Sequence, residues 1–170
     1  MPMRPRPAAL GTALALLAVA GCDTNNPSQE LEVVAGNYTL SELQLTTPGA
    51  ALDVDVMAEL DLTNVRLRIF AGEDREALLE IGDADGVTDL VELEAEPSRG
   101  RVRFDAVDQG DEDDLGALLI PGTFTLSYEG ERPSRLEGEV RLTDVDLGET
   151  LPRYDGVTIR EGTLSLAFRR

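Results

Sequence analysis

Apolar residues alternate with polar ones through most of the chain after residue 35, and this pattern limits the possible folds most strongly. Residues 65–69 (VRLRI) are one example, and the same period of two recurs between short turn sequences rich in glycine, proline and acid. Antiparallel strands with one face in the core and the other in water have this pattern. It predicts eight strands, over 38–46, 65–69, 76–81, 91–94, 101–104, 123–128, 136–142 and 163–168.

The first predicted strand changes phase part-way along. Tyr38 and Leu40 have one parity, whereas Leu43 and Leu45 have the other. A bulge or bend near residues 41–42 would bring all four side chains to one face. Because strongly bent strands occur where a sheet curls up, we expect an all-β protein with a single antiparallel eight-stranded barrel. A two-sheet β-sandwich is the alternative, since the same number of strands serves both architectures.

Residues 49–62 fit two descriptions. Residues 53–56 (DVDV) alternate as a strand does, whereas the apolar residues of 52–60 also fit a helical stripe with Asp53 or Asp55 as its N-cap. We expect a short helix at 52–60 that lies across the mouth of the barrel.

The first 22 residues have the pattern of an export signal. Two arginines precede the apolar run 8–20, which is too short to span a bilayer comfortably, and residues 19–22 then read VAGC. This order of charge, apolar run, small residues and cysteine resembles the lipobox of bacterial lipoproteins. The resemblance implies that the signal is cleaved before Cys22, that its thiol receives a diacylglycerol anchor of the palmitate type, and that its new amine is acylated.

These features divide the chain into three parts. Residues 1–21 are the signal peptide, 22–30 a lipidated polar tether, and 31–170 the barrel domain. Asp23 directly follows the cysteine, and in this it resembles the signal that retains lipoproteins in the inner membrane of enteric bacteria. We therefore expect a membrane-anchored lipoprotein of the bacterial cell envelope that faces the periplasm or the exterior.

The charge of the exported part excludes one class of partner. Removal of the signal takes away two of the 15 basic residues and none of the 33 acidic ones, which leaves a formal charge of −20. Nucleic acid is excluded as a partner because phosphate binding needs a basic surface. An anionic leaflet would also repel the domain, so we expect that only the lipid attaches it to the membrane. We expect the protein to be a monomer.

The two ends of the barrel domain carry a family resemblance. Residues 36–38 (GNY) are similar to the G-x-W motif at the first strand of lipocalins, with tyrosine in place of tryptophan. In that family the aromatic side chain closes the base of the barrel against an arginine near the last strand. The resemblance implies a lipocalin-like barrel with a plug formed by Gly36, Tyr38 and either Arg169 or the adjacent Arg170.

The composition leaves little scope for catalysis. The chain has no histidine and no lysine, and its only cysteine is assigned to lipid, which removes the usual general base, zinc ligand and Schiff-base nucleophile. We expect no enzymatic activity and no cofactor. The segment 105–114 supplies oxygen ligands suited to calcium, but an acidic run is more typical of a solvated loop, so we expect no metal there. The weak candidate ligands are Asp108, Asp111, Glu112, Asp113 and Asp114.

Two functions fit such a domain. It could bind a small apolar ligand inside the barrel, or it could have a solid core and contact another envelope protein through 105–114 or the apolar stretch 118–121. An open apolar cavity above roughly 300 Å³ would favour the ligand, and a filled interior with an exposed apolar patch would favour the partner. The residues predicted to face inward are Leu67, Ile69, Leu79, Val91, Leu93, Phe104, Phe124, Leu126, Leu164 and Leu166.

Overall fold

The computed structural model describes residues 27–72, 74–83 and 86–170. Within these ranges the chain forms nine strands and three α-helices. No described helix has both the length and the apolar character that crossing a membrane requires. In chain order the elements are α1 (Pro27–Val34), β1 (Gly36–Thr46), β2 (Asp53–Asp55), α2 (Val56–Glu59), β3 (Arg66–Ile69), β4 (Glu76–Asp83), β5 (Gly86–Ser98), β6 (Arg101–Ala106), α3 (Gln109–Gly116), β7 (Thr123–Ser127), β8 (Arg135–Asp146) and β9 (Thr158–Arg169), with 3₁₀ turns at Pro48–Ala50, Leu147–Glu149 and Pro152–Tyr154.

Eight of these strands close into an antiparallel barrel. Neighbouring strands follow the order β1-β3-β4-β5-β6-β7-β8-β9, and β9 pairs back with β1. The short β2 pairs with residues 44–46 of β1, outside this ring of eight. The prediction of an all-β, eight-stranded barrel is confirmed. The sandwich alternative is wrong, because a sandwich keeps two separate sheets whereas this single sheet closes on itself.

The bend in β1 lies where the change of parity predicts it. The register of β1 against β9 shifts between Leu40 and Glu42, which is the mark of a bulge. Tyr38, Leu40, Leu43 and Leu45 are consequently all buried. One extra residue thus lets a single strand contribute to two differently oriented parts of the barrel wall.

Residues 52–60 contain both of the predicted structures. β2 occupies 53–55, and α2 follows as a single turn at Val56–Glu59, shorter than the predicted helix. The side chain of Asp55 accepts a hydrogen bond of 3.1 Å from the backbone N–H of Ala58, so this residue ends the strand and caps the helix.

The first helix begins inside the segment predicted to be the tether. α1 starts at Pro27, and proline is well suited to a first helical position because its missing N–H has no helical partner there. The helix packs against β5 and buries Leu31 and Val34. The described helix therefore overlaps residues 27–30 of the segment predicted to be the tether.

The predicted acidic loop is largely a helix, and the apolar stretch after it is not a surface. α3 occupies Gln109–Gly116 and packs against β5 and β6. Leu118, Leu119 and Ile120 belong to the hydrophobic core. The prediction that 118–121 contacts a partner is therefore wrong for these three side chains, because they cover the interior of this molecule instead.

Side chains fill the interior of the barrel. All ten residues predicted to face inward are buried, and none is more than 3 % exposed. A side chain beside a water-sized void would keep accessible area on that side, so these residues leave no such void next to them. Phe104 and Phe124 lie opposite each other on the neighbouring strands β6 and β7, and their rings stack with centroids 5.1 Å apart and planes 22° apart. The packing favours a solid core over a ligand-binding interior.

Candidate functional site

The base of the barrel, where β1 begins and β9 ends, holds a buried tyrosine under an arginine. Tyr38 is 1 % exposed, and the Cζ of Arg170 lies 5.0 Å from the centre of its ring. The Tyr38 hydroxyl donates a 2.8 Å hydrogen bond to the carbonyl oxygen of Val34, which ties the ring to the end of α1. Burial raises the pKa of Tyr38 above its usual 10.0, and the charge of Arg170 opposes the shift.

The structure brings Gly36, Tyr38 and Arg170 together, but not Arg169. The guanidinium of Arg170 also donates to the carbonyl oxygen of Ala35, and its Nη2 would lie 2.7 Å from a Cβ at Gly36. Gly36 has a φ of +150°, which side chains rarely allow. Arg169 is exposed on β9, where it pairs in register with Thr39. A role of this cluster as a lipocalin-type plug remains a prediction.

Three of the five candidate calcium ligands have other partners within or beside α3. Asp108 is the N-cap of α3 and accepts from the backbone N–H groups of Gly110 and Asp111, while Asp111 bonds back to the N–H of Asp108 in a capping box. Asp113 accepts from the amide of Gln109 at 3.0 Å. Over the part of the chain that the structure describes, no three acidic residues are grouped to hold a metal ion. Asp114 is half-buried in α3, and Glu112 is exposed on the same helix.

The predicted lipidation and sorting residues cannot be placed in this description of the fold. Cys22 and Asp23 both lie outside the described residues. Their roles stay predictions that depend on the sequence pattern of residues 1–23.

An apolar groove on the outside of the barrel is a candidate binding site that the sequence reasoning missed. It has a volume of about 330 Å³ and lies over β4 and β5, between the end of β3 and the residue that follows β6. Two of its side chains, Phe70 and Val107, are 36 % and 59 % exposed, and Leu90, also exposed, stands nearby on β5. We call this site the outer groove, and its lining consists of Phe70, Glu76, Ala77, Leu78, Glu92, Leu93 and Val107.

Neighbouring backbone contacts hold Val107 in its exposed position. Its N–H donates to the carbonyl oxygen of Glu92 at 3.2 Å, which extends the pairing of β5 beyond β6. The next residue, Asp108, is fixed by the capping box of α3, and Asp111 accepts from the Glu92 N–H at 2.8 Å. Val107 is therefore an apolar side chain presented to solvent on a constrained backbone, and a preorganised contact loses little entropy on binding.

The sequence contains a signal for the outer groove. In a one-sided strand, two consecutive apolar residues must place one of them on the solvent face. Residues 69–70 (IF), 78–79 (LL) and 90–91 (LV) are such pairs. In each pair one residue is buried, and the other, Phe70, Leu78 or Leu90, is on the outer face. The pairing of β4 with β3 and β5 then brings these positions to one part of the wall: the Phe70 N–H donates to the Glu76 carbonyl oxygen, and Leu90 lies opposite Glu80, two residues from Leu78.

A larger groove, of about 450 Å³, lies on the opposite wall, but its lining is polar. It is formed mainly by β8, β9 and Glu42 of β1. Arg135 there forms ion pairs with Glu42 at 3.6 Å and with Glu137 at 2.7 Å. Because Arg135 is already paired, the groove has no free positive charge for an anionic ligand, and its polar lining suits an apolar ligand less well than the outer groove does.

Comparisons with known proteins add a resemblance in structure only. No protein-family model matches the chain, and no curated protein matches it significantly. Two crystal structures of mutants of the vaccine antigen transferrin binding protein B from Haemophilus parasuis Hp5 are similar to it, each 11% identical and covering 82% of this chain, with TM-scores of 0.41 and 0.38. The chain spans about a quarter of the length of those proteins, 26% and 28% respectively.

Proposed function

We propose that this protein is a non-enzymatic, lipid-anchored component of the bacterial cell envelope whose barrel contacts another envelope protein. In this proposal residues 1–21 are removed, Cys22 carries the lipid, and Asp23 influences the choice of membrane. Four residues, 23–26, then separate the lipidated cysteine from α1. So short a connection would keep the barrel close to the membrane surface.

The sequence pattern of the first 22 residues supports the anchor. Growth of the producing bacterium on labelled palmitate tests it: the wild-type chain should take up the label, and the Cys22→Ser variant should not. A second measurement, the mass of the purified wild-type chain, should show residues 1–21 missing and at least two acyl chains added. Absence of label from the wild type, or equal labelling of the variant, would exclude lipidation at this residue.

The filled interior supports contact with a partner over binding of a ligand inside the barrel. A calyx for a small apolar molecule needs an apolar cavity of about 300 Å³ or more. The inward side chains instead pack against one another. The apolar space whose volume reaches this figure is the outer groove, which lies on the outside of the barrel. Exposed apolar surface with a polar rim is typical of protein contact sites.

Native mass spectrometry of the whole lipidated protein, purified in a mild detergent from its own cells, distinguishes the two functions. We expect no small molecule bound to the acylated chain after the detergent is removed in the gas phase. A stoichiometric additional mass of a lipid-like molecule would support the ligand-binding alternative and overturn this proposal. The Cys22→Ser protein serves as the control, because it separates attached acyl chains from a bound molecule.

A further inference from the structure

We infer that the outer groove binds a partner segment in which a large apolar side chain stands next to basic residues. This inference rests on the proposed contact with an envelope protein and adds the chemistry of that partner. It follows from the charges around the groove and from the way the chain leaves them unpaired.

Three carboxylates surround the apolar floor of the groove. Glu76 and Glu92 line it directly, and Glu94 stands directly opposite Glu76 in the ladder between β4 and β5. All three side chains are exposed on the outer face of the sheet. Like charges directly opposite each other on neighbouring strands are destabilising, so this pair is a cost to the isolated fold that a cation would relieve.

The arginines on β3 and just before β4 that flank the groove are paired with other acids. Arg68 pairs with Glu80 at 3.2 Å and lies 6.0 Å from the centre of the Phe70 ring. Arg75 pairs with Glu96 at 3.4 Å. Across residues 27–72, 74–83 and 86–170, no ion pair involves Glu76, Glu92 or Glu94. The groove thus offers an apolar floor and three acids that form no ion pair among the described residues, and Arg68, which lies beside Phe70, is already paired with Glu80.

The geometry favours a protein segment over a small molecule. The outer groove lies on the convex side of the barrel, where a small ligand would remain largely exposed, whereas small-molecule sites enclose most of their ligand. A protein segment needs only to insert one apolar side chain and to place a cation on either side of it. Rim charges of this kind chiefly speed association and select the partner.

Photo-crosslinking in the producing bacterium tests this pairing. The reactive residue p-benzoylphenylalanine replaces Val107 in the full chain, or, as a position on the opposite wall, Thr143 of β8. The Val107 position should give an adduct whose crosslinked segment has arginine or lysine within two residues of an apolar side chain. Glu76→Gln together with Glu92→Gln should lower the adduct yield about fivefold, the effect expected for two partly exposed ion pairs.

A matched charge change provides the control. Glu129→Gln together with Glu131→Gln removes two exposed acids from the hairpin between β7 and β8 and should leave the adduct yield unchanged. The thermal midpoint of the Glu76/Glu92 variant should not fall, because the substitution relieves repulsion at Glu94. A loss of adduct with an unchanged midpoint therefore reports on binding and not on folding.

Each contrary outcome has a distinct meaning. An adduct at position 107 that is insensitive to Glu76→Gln and Glu92→Gln, or that maps to an acidic segment or to lipid, overturns the inference. An adduct from position 143 alone overturns the inference and leaves the proposed contact with an envelope protein standing. No protein adduct from either position overturns both.

Discussion

Replacing Phe104 with alanine should cost about 3–5 kcal/mol of unfolding free energy. The ring is completely buried on β6 and stacks on Phe124 of β7 at 5.1 Å. Burial of a phenylalanine side chain contributes about 1.5–3 kcal/mol, and the cavity left in a close-packed interior raises the total to the larger figure. This cost depends on the filled interior, since a ring that already borders an open calyx would leave no new cavity.

Urea unfolding of the wild type, Phe104→Ala and Thr125→Ala measures this difference. Thr125 is exposed on β7, so its variant should lie within about 0.5 kcal/mol of the wild type. A benzene-sized probe should stabilise Phe104→Ala and leave the wild type unaffected, because an apolar cavity of that size binds such molecules. A loss below about 1 kcal/mol for Phe104→Ala, or equal stabilisation of the wild type by the probe, would refute a packed interior.

Three further predictions concern the caps and the base of the barrel. Asp108→Ala should lower the unfolding free energy by about 0.5–2 kcal/mol through loss of the capping box. Millimolar calcium should not raise the thermal midpoint of the wild type. A calcium-dependent rise that is lost in the variant would contradict the capping role. Because the folded-state pKa of Tyr38 is raised, its contribution to stability is complete below pH 10 and declines as the pH rises above that value. Between pH 8 and 11, the unfolding free energy of Tyr38→Phe should therefore fall less than that of the wild type. Arg170→Ala should cost about 1 kcal/mol in urea unfolding, whereas Arg169→Ala should be nearly neutral. Gly36→Ala should cost less in the Arg170→Ala background than alone. Additive losses would show that the Arg170 side chain does not limit the space at position 36.

The parts of the fold that depend on side-chain parity could be predicted from the sequence. Parity along a strand states directly which side chains share a face, so the eight strands and the bulge beside Leu40 followed from it. The signals for the helices were present but were outweighed by composition. Pro27, followed by Leu31 and Val34 at helical spacing, and the Asp108–Asp111 capping pair both lie in segments whose polarity favoured a tether and a loop.

Placement of the candidate site needed the register between strands. The exposed partners Phe70 and Val107 are 37 positions apart in the sequence, and neither has a motif around it. The hydrogen bond from the Phe70 N–H to the Glu76 carbonyl oxygen, the pairing of β4 with β5, and the hydrogen bond from the Val107 N–H to Glu92 bring them to one groove. For the same reason the apolar stretch 118–121 could not be assigned to core or surface, since no strand periodicity fixed the direction of its side chains.

The most direct test is a crystal structure of this protein determined under xenon pressure. Xenon occupies apolar cavities, so its positions map any space that a small ligand could use. With the interior closed by Leu67, Leu79, Phe104 and Leu166, no xenon should bind inside the barrel, and any ordered atom should lie in the outer groove. A xenon atom or an elongated lipid density among those inward side chains would contradict a solid barrel that binds through its outer wall.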